Sequence, residues 1–271
     1  MDIILYILIF CIGAVFGSFF TLAVYRIPIR QDITHTRSYC PNCKHKLSFL
    51  DMIPILSYIF LGGKCRYCKQ KIRIRYLLLE VFSGIIFVLF AFSIKLSLYT
   101  VNEQVLMYYI FGILYIATIL IIAGIDKEKI KIEKPVLLFG FICVTIYMIY
   151  LYILEKDISI HRYVIYLVAA CILEFINIIY LRKKGKDNYT IDILILSVLM
   201  MLYTYEVVYI YTVIITLLAI AMHHFFAELH KRKYKVVKKI DVQTEMPPIG
   251  MYMCTSNILM LIVINLIIFY A

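Results

Sequence analysis

The chain has 271 residues, of which 63% are hydrophobic and only 17% charged, and its mean hydropathy is +0.90. This composition excludes a soluble globular domain, because too few polar side chains remain to cover its surface. The net charge of +11 does not indicate nucleic acid as a partner, because the Lys and Arg residues fall between alternate apolar segments. We therefore predict an all-α polytopic membrane protein that sits in the lipid bilayer.

Eight apolar segments are candidates for transmembrane helices, because about 20 residues are needed to cross about 30 Å of hydrocarbon. They lie approximately at Ile3–Val24, Leu77–Ile94, Val105–Ile125, Pro135–Leu154, Tyr163–Leu181, Ile191–Thr204, Val207–Phe226 and Met253–Tyr270. The first is expected to stay as a span, because it is too long for the apolar core of a signal peptide. The sixth is short, and Glu206 interrupts its boundary with the seventh.

The basic residues between these segments predict the orientation of the chain in the membrane. Of the 28 Lys and Arg residues, 25 lie in four loops, at residues 25–76, 126–134, 182–190 and 227–252. Because loops rich in Lys and Arg stay in the cytoplasm, the long first loop is expected there, with both termini outside.

Two Cys-x-x-Cys pairs stand in the first loop, with 21 residues between them. Four thiolates with the spacing of Cys40, Cys43, Cys65 and Cys68 are typical of a structural, tetrahedral Zn²⁺ site. The alternatives are four unrelated thiols or two disulfides, and a reducing cytoplasmic location favours the metal. The sequence thus predicts a zinc-ribbon-like loop domain, in which the ion compensates for a small core.

Four segments around the cysteines carry further motifs, at Gly17–Pro28, Asp51–Tyr58, Leu61–Cys65 and Ile72–Tyr76 with Glu80. They resemble the GSFxNVxxYRxP, DNIPxxSW/Y, LxGxC and IxxRYPxxE motifs of the bacterial type IV prepilin peptidases. Thr21 replaces the Asn of the first motif, and Leu77 replaces the Pro of the last. Near the end of the chain, Met246–Gly250 resembles the family's IPFGP in a looser form.

The resemblance implies a bifunctional enzyme of the bacterial inner membrane. It would cleave the leaders of type IV prepilin or pseudopilin precursors after a Gly, at the cytoplasmic face, and methylate the new α-amino group with S-adenosylmethionine. It also implies a methyltransferase-like module at residues 1–95 and a six-span aspartyl peptidase domain at residues 96–271. Gly63 and Glu80 are the candidates for cofactor binding, with an ion pair to Arg73 or Arg75 as the structural alternative for Glu80.

Two acidic residues at the membrane boundary are the candidates for catalysis, and the resemblance implies the same pair. Asp126 ends the third apolar segment and Asp192 opens the sixth, so both are expected at one depth. Two carboxylates that share a proton could activate a water and polarise the scissile carbonyl. The alternatives are a solvated helix-end acid for Asp126 and a residue that favours a helix N-terminus for Asp192.

The family's second aspartate motif, GxGD, is altered in this chain. Tyr189 and Ile191 stand in place of its glycines, which are residues that allow close backbone approach. Asp187, in a highly charged loop, is the alternative to Asp192. The altered motif favours a second hypothesis, a catalytically impaired scaffold that binds pilin-like proteins. A third is a transporter that uses Glu174 and the acids at the membrane boundary as a proton relay, but the sequence lacks inverted repeats and broken spans.

Overall fold

The computed structural model describes residues 2–33, 37–99, 101–155, 160–184, 188–237 and 247–270. Regular structure in these residues is helical, apart from two isolated β-bridges in the loop that carries the cysteine pairs. The predicted all-helical architecture with a four-cysteine loop is thereby confirmed. The α-helices of the described residues are α1 (Asp2–Arg26), α2 (Leu56–Phe60), α3 (Arg75–Ser93), α4 (Glu103–Lys129), α5 (Lys134–Glu155), α6 (Ile160–Lys184), α7 (Tyr189–Tyr203), α8 (Glu206–Val237) and α9 (Ile249–Tyr270).

Each of the eight predicted apolar segments forms a helix, and within the described residues seven of these helices are long and apolar enough to cross a membrane. The exception is α7, which is apolar but has only 15 residues. At about 1.5 Å per residue, α7 is only about 22 Å long, short of the roughly 30 Å thickness of the hydrocarbon.

The ends of α8 and α9 differ from the predicted segment ends. Helix α8 continues to Val237, well beyond the predicted end at Phe226, and α9 begins at Ile249 rather than Met253. Hydropathy marks where a chain leaves hydrocarbon, whereas a helix continues through Ala, Glu, Leu and Lys, which favour helix in water as well.

The chain divides into two compact units. The first consists of Met1–Ala117 and Asn265–Ala271, and the second of Thr118–Ile264. Helices α4 and α9 therefore contribute residues to both units. The division into functional parts at residues 1–95 and 96–271 stays a prediction, because compact packing does not report where one activity ends and another begins.

In the first unit, α1 and α3 pack closely through small residues. A Cβ added to Gly13 would lie 2.8 Å from the Cα of Gly84, and one added to Gly17 would lie 2.7 Å from the Cα of Glu80. Such close backbone approach is a common basis of helix association in membranes, where apolar side chains gain little by leaving lipid for each other. Since α1 leads into the cysteine loop and α3 leaves it, this packing holds the two ends of the loop side by side.

Gly17→Val is expected to destabilise this helix pair, because the added side chain would collide with the backbone of α3. Overpacking of this kind lowers the free energy of unfolding by about 1–3 kcal/mol. The measurement is the midpoint of thermal unfolding in detergent. Val15→Leu, on the same helix at a position that is 57% exposed, is the matched control and should leave the midpoint unchanged. An unchanged midpoint in Gly17→Val would contradict the close packing.

In the second unit, α4, α5 and α7 meet around Gly140. A Cβ on this α5 glycine would lie 2.8 Å from the side chain of Thr118 on α4 and 2.9 Å from that of Leu199 on α7. The fully buried apolar side chains of α4 and α7 include Ile122 and Leu196. This packing fixes α4 and α7, whose ends carry Asp126 and Asp192.

Candidate functional site

The four cysteines of the predicted metal site lie together. The sulfur atoms of Cys40, Cys43, Cys65 and Cys68 are all within 4.8 Å of one another, and those of Cys40 and Cys68 are 3.8 Å apart. All four are free cysteines, not joined as disulfides. A tetrahedral zinc ion with Zn–S bonds of about 2.3 Å sets its sulfur atoms about 3.8 Å apart. The cluster can therefore hold a metal ion, and its donors suit zinc.

Both cysteine pairs are held by backbone turns of the same design. In each turn, the residue four positions after the first cysteine donates its N–H to that cysteine's carbonyl, at 2.9 Å for Lys44 and 3.0 Å for Lys69. Each of these lysines has a φ of 58°. The N–H of the first cysteine donates to the carbonyl five positions on, at 3.0 Å for Cys40 and 2.9 Å for Cys65. We call these two turns the knuckles, at residues 40–45 and 65–70.

The thiols of the cluster differ in their affinity for protons. Hydrogen bonds, first from the backbone N–H of Gln70 and then from Asn42, lower the pKa of Cys68 to about 6. The backbone N–H of His45 lowers the pKa of Cys43, but burial and hydrogen bonds with neighbouring thiols raise it to about 11. Because adjacent thiolates repel one another, a bound cation is needed for all four to ionise together.

Asp51 braces the second knuckle. Its Oδ1 accepts a hydrogen bond from Arg66 Nε at 2.6 Å, and its Oδ2 accepts from Ser48 Oγ at 2.7 Å and from Tyr67 Oη at 3.3 Å. Burial raises the pKa of Asp51, but the bonds from Ser48 and Arg66 outweigh it and hold the pKa below its usual value. Asp51 belongs to one of the sequence motifs, and in the structure its carboxylate joins Ser48 to the second knuckle and so stabilises the loop.

The two residues predicted for cofactor binding, Glu80 and Gly63, each have a structural contact. Glu80 Oε2 accepts the N–H of Ile55 at 2.7 Å and so ties the loop to α3. Ile55 has a φ of 63°, a conformation that is rare for a β-branched residue and needs such support. Gly63 has a φ of 66°, and a Cβ there would lie 2.9 Å from the ring of Tyr58. Their roles toward S-adenosylmethionine stay predictions.

Asp126 is fully buried at the end of α4. Its Oδ2 accepts the backbone N–H of Met251, in the first turn of α9, at 2.9 Å. The Tyr189 hydroxyl lies beside this carboxylate. Its Oδ1 is buried and has no hydrogen-bond partner among the described residues. A solvated helix-end acid would not have this environment, because both its oxygens would face water.

Asp192 is 1% exposed and lies in the first turn of α7. It accepts a hydrogen bond from Asn177 Nδ2 on α6 at 2.7 Å, and Asn177 is itself buried. The N-cap of α7 is Asn188, whose side chain accepts the N–H of Thr190 at 3.1 Å. Asp192 is therefore not needed as a cap. An Asn within an apolar segment is a signal that the sequence analysis did not use, since buried amides need partners.

Gly250 is where the helices that carry the two aspartates meet α9. A Cβ on Gly250 would lie 3.0 Å from Asp126 Oδ2 and 3.4 Å from the side chain of Ile193, the residue after Asp192. The N–H of Gly250 donates to the Tyr189 hydroxyl at 3.2 Å. Tyr189 lies about one helical turn before Asp192 on α7. The end of α4 and the starts of α7 and α9 thus converge, with buried carboxylates on α4 and α7. The alternative residue Asp187 lies outside the described residues.

The other intramembrane acids have basic partners that the sequence did not reveal. Glu174 on α6 accepts from Lys134 Nζ at 2.8 Å, and both side chains are about one-third exposed. Glu206 is paired with Arg162 at 3.3 Å and is largely exposed. The ion pair with Lys134 gives Glu174 a structural task.

Comparison with known proteins supports the motifs. Residues 11–94 match the family model of the bacterial peptidase A24 N-terminal domain. The chain is 37% identical over 89 residues to the prepilin leader peptidase/N-methyltransferase of Vibrio cholerae serotype O1, which covers 30% of this chain and 35% of the relative. It is 31% identical over 134 residues to the protein of that name from Bacillus subtilis, which covers 49% and 50% of the two chains. It is 30% identical over 126 residues to the Klebsiella pneumoniae protein of the same name, which covers 44% of this chain and 51% of the relative.

The match confirms the resemblance to this family for the N-terminal part of the chain. The chain spans about half or less of the length of the curated relatives that it matches. No solved structure matches it.

Proposed function

We propose, from the match of residues 11–94 to the bacterial peptidase A24 N-terminal domain, that the chain is an intramembrane aspartyl endopeptidase. Its substrates would be type IV prepilin or pseudopilin precursors, cut at the cytoplasmic face of the bacterial inner membrane. The names of the relatives, prepilin leader peptidase/N-methyltransferase, support this choice of substrate and of a second activity. The basic loops support the orientation, with the cysteine loop in the cytoplasm.

The observation that carries the peptidase proposal is the pair of buried carboxylates at the ends of helices that meet around Gly250. Burying a carboxylate is costly, and Asp126 keeps one oxygen without a partner among the described residues. A structural acid would be expected to have both oxygens satisfied. An unpartnered oxygen on a fixed carboxylate suits a group that exchanges a proton with water or substrate.

The chemistry follows from two carboxylates acting together. When they share a proton, one member is ionised and removes a proton from water, which then attacks the carbonyl carbon of the scissile peptide bond. The protonated member donates a hydrogen bond to the carbonyl oxygen and later its proton to the leaving amine. The apolar helix of the precursor would lie in the bilayer, so that only the leader junction has to reach the aspartates.

The zinc ion proposed for the four cysteines would take no part in this step. Cys40, Cys43, Cys65 and Cys68 would hold it as thiolates, and it would keep the knuckles folded. Methyl transfer from S-adenosylmethionine to the new α-amino nitrogen is proposed from the names of the relatives. The described contacts of Gly63 and Glu80 are those of a turn and of a loop anchor, so no step is routed through them.

Mass spectrometry of the N-terminus of a precursor that is co-expressed with the chain tests both activities. We expect a product shortened by its leader and heavier by one methyl group than the unmodified mature chain. A shortened product without the methyl group would support the proposed peptidase activity and contradict the proposed methyltransferase activity. An intact precursor that co-purifies with the chain would overturn the peptidase in favour of a pilin-binding scaffold, which the Tyr189 and Ile191 replacements favour.

A further inference from the structure

Tyr189 takes the place of a motif glycine, and its hydroxyl lies beside Asp126. We infer that Tyr189 is a positioning residue that fixes the Asp126 carboxylate with Oδ1 directed to the substrate. This inference rests on the proposed peptidase function and concerns the same site. Tyr189 would then contribute to catalysis, whereas the loss of the motif glycine by itself suggests impaired activity.

The first argument is the chain of hydrogen bonds. A phenol can accept hydrogen bonds but has one proton to donate. The N–H of Gly250 donates to the Tyr189 oxygen at 3.2 Å, which leaves the phenol proton for Asp126. The N–H of Met251 donates to Asp126 Oδ2 at 2.9 Å. Met251 thus serves Oδ2 and leaves Oδ1 without a hydrogen-bond partner among the described residues, and the neighbouring phenol can share Oδ2 with it.

The second argument is that these donors come from different helices. Tyr189 is the first residue of α7, and Met251 lies in the first turn of α9. A carboxylate held by one donor can rotate about its Cβ–Cγ bond, whereas two donors from separate elements fix its plane. The plane matters here, because rotation would exchange the hydrogen-bonded oxygen, Oδ2, for the unpartnered one, Oδ1.

The third argument is the space around the carboxylate. The missing Cβ of Gly250 allows the start of α9 to approach Asp126 Oδ2 closely, since an added Cβ would be 3.0 Å away. The same glycine presents its N–H to Tyr189. One backbone position therefore admits the carboxylate and orients the phenol, and it lies beside Oδ2.

The test is Tyr189→Phe, which removes the hydroxyl and keeps the ring. We expect kcat for precursor cleavage to fall about 10- to 100-fold, because a hydrogen bond to a charged group is lost, while KM stays within about twofold. Tyr211→Phe makes the same chemical change at a position on α8 that is 48% exposed, and should leave both constants unchanged. The thermal midpoint of each variant shows that the chain remains folded.

The outcomes separate this inference from the proposed function. If the unaltered chain does not cleave the precursor, the proposed function fails. If it cleaves and Asp126→Asn does not, the function stands, and wild-type kcat in Tyr189→Phe overturns the positioning role alone. A rise in kcat, in Tyr189→Phe or in Tyr189→Gly, would also overturn it, because the phenol would then obstruct Asp126.

Discussion

Asp126→Asn is expected to lower the rate of precursor cleavage by at least about a thousandfold, since a positioned acid or base contributes about 10²- to 10⁴-fold and the partner carboxylate cannot act alone. The amide keeps the shape of the side chain and can still accept the N–H of Met251. It cannot exchange a proton at the position of Oδ1. The measurement is the mobility shift or mass of the precursor in a membrane assay.

The stability of the same variant should not fall. A buried carboxylate is unfavourable in a membrane protein, and a neutral amide relieves that cost. The new NH₂ group would occupy the position of Oδ1, which has no hydrogen-bond partner among the described residues. Lost cleavage with an unchanged or higher thermal midpoint would therefore identify chemistry rather than folding as the cause.

Asp192→Asn should have an effect of the same size, because both carboxylates are needed to share the proton. Glu206→Gln is the matched control, since it neutralises an acid that is largely exposed and paired with Arg162. It should cleave at the wild-type rate. Full activity of both aspartate variants would eliminate the proposed pair, and loss in Asp126→Asn alone would redirect the search to a different second acid.

Cys65→Ser is the second prediction with a large expected effect. The purified chain should carry about one zinc ion, and the variant should carry almost none, because three thiolates and a hydroxyl bind zinc far more weakly than four thiolates. Apparent free energies of zinc binding by small structural sites are about 10–16 kcal/mol, more than a loop of this size gains from its core. Elemental analysis of the purified protein gives the metal content.

The loop should unfold with the loss of the metal. Limited proteolysis is expected to cut the variant between α1 and α3 under conditions in which the wild-type loop is resistant. Cys171→Ser, a change at an exposed lone cysteine on α6, is the control and should retain both the zinc and the resistance. A wild-type chain that binds no metal, or a Cys65→Ser loop that stays resistant, would contradict a structural zinc site.

The same variant separates the two proposed activities. Methylation of the product should be impaired in Cys65→Ser, since it is assigned to the part of the chain that contains the loop. Leader cleavage should be affected less, because the proposed aspartates lie on α4 and α7. A parallel loss of both activities would show that the peptidase also depends on the folded loop.

The helices and the cysteine cluster could be predicted from sequence because both are local or regular signals. An apolar stretch of about 20 residues predicts a membrane helix, as at α1 and α3. The spacing Cys-x-x-Cys predicts a pair of metal ligands. Each of these patterns depends on residues close together in the chain, where propensity and spacing act directly.

The surroundings of the aspartates could not be predicted in the same way. In the sequence Tyr189 stands only as a lost glycine, because its proximity to Asp126 joins residues on different helices. The Lys134–Glu174 ion pair likewise joins α5 and α6, and nothing in the spacing of these residues identifies them as partners. The positive φ of Ile55 contradicts the ordinary preference of a β-branched residue and exists through the support of Glu80.

The order of the two knuckles along the chain bears on how the protein is made. Both precede α3, so all four thiols leave the ribosome before α3 does. If zinc fills the site, the ion can be taken up while the loop is tethered at its α1 end and α3 is not yet made. Each knuckle supplies two sulfur atoms, so uptake can proceed in two stages during synthesis. A cell short of zinc would then release chains with properly inserted helices and an open loop, which is the segment that quality-control proteases can reach.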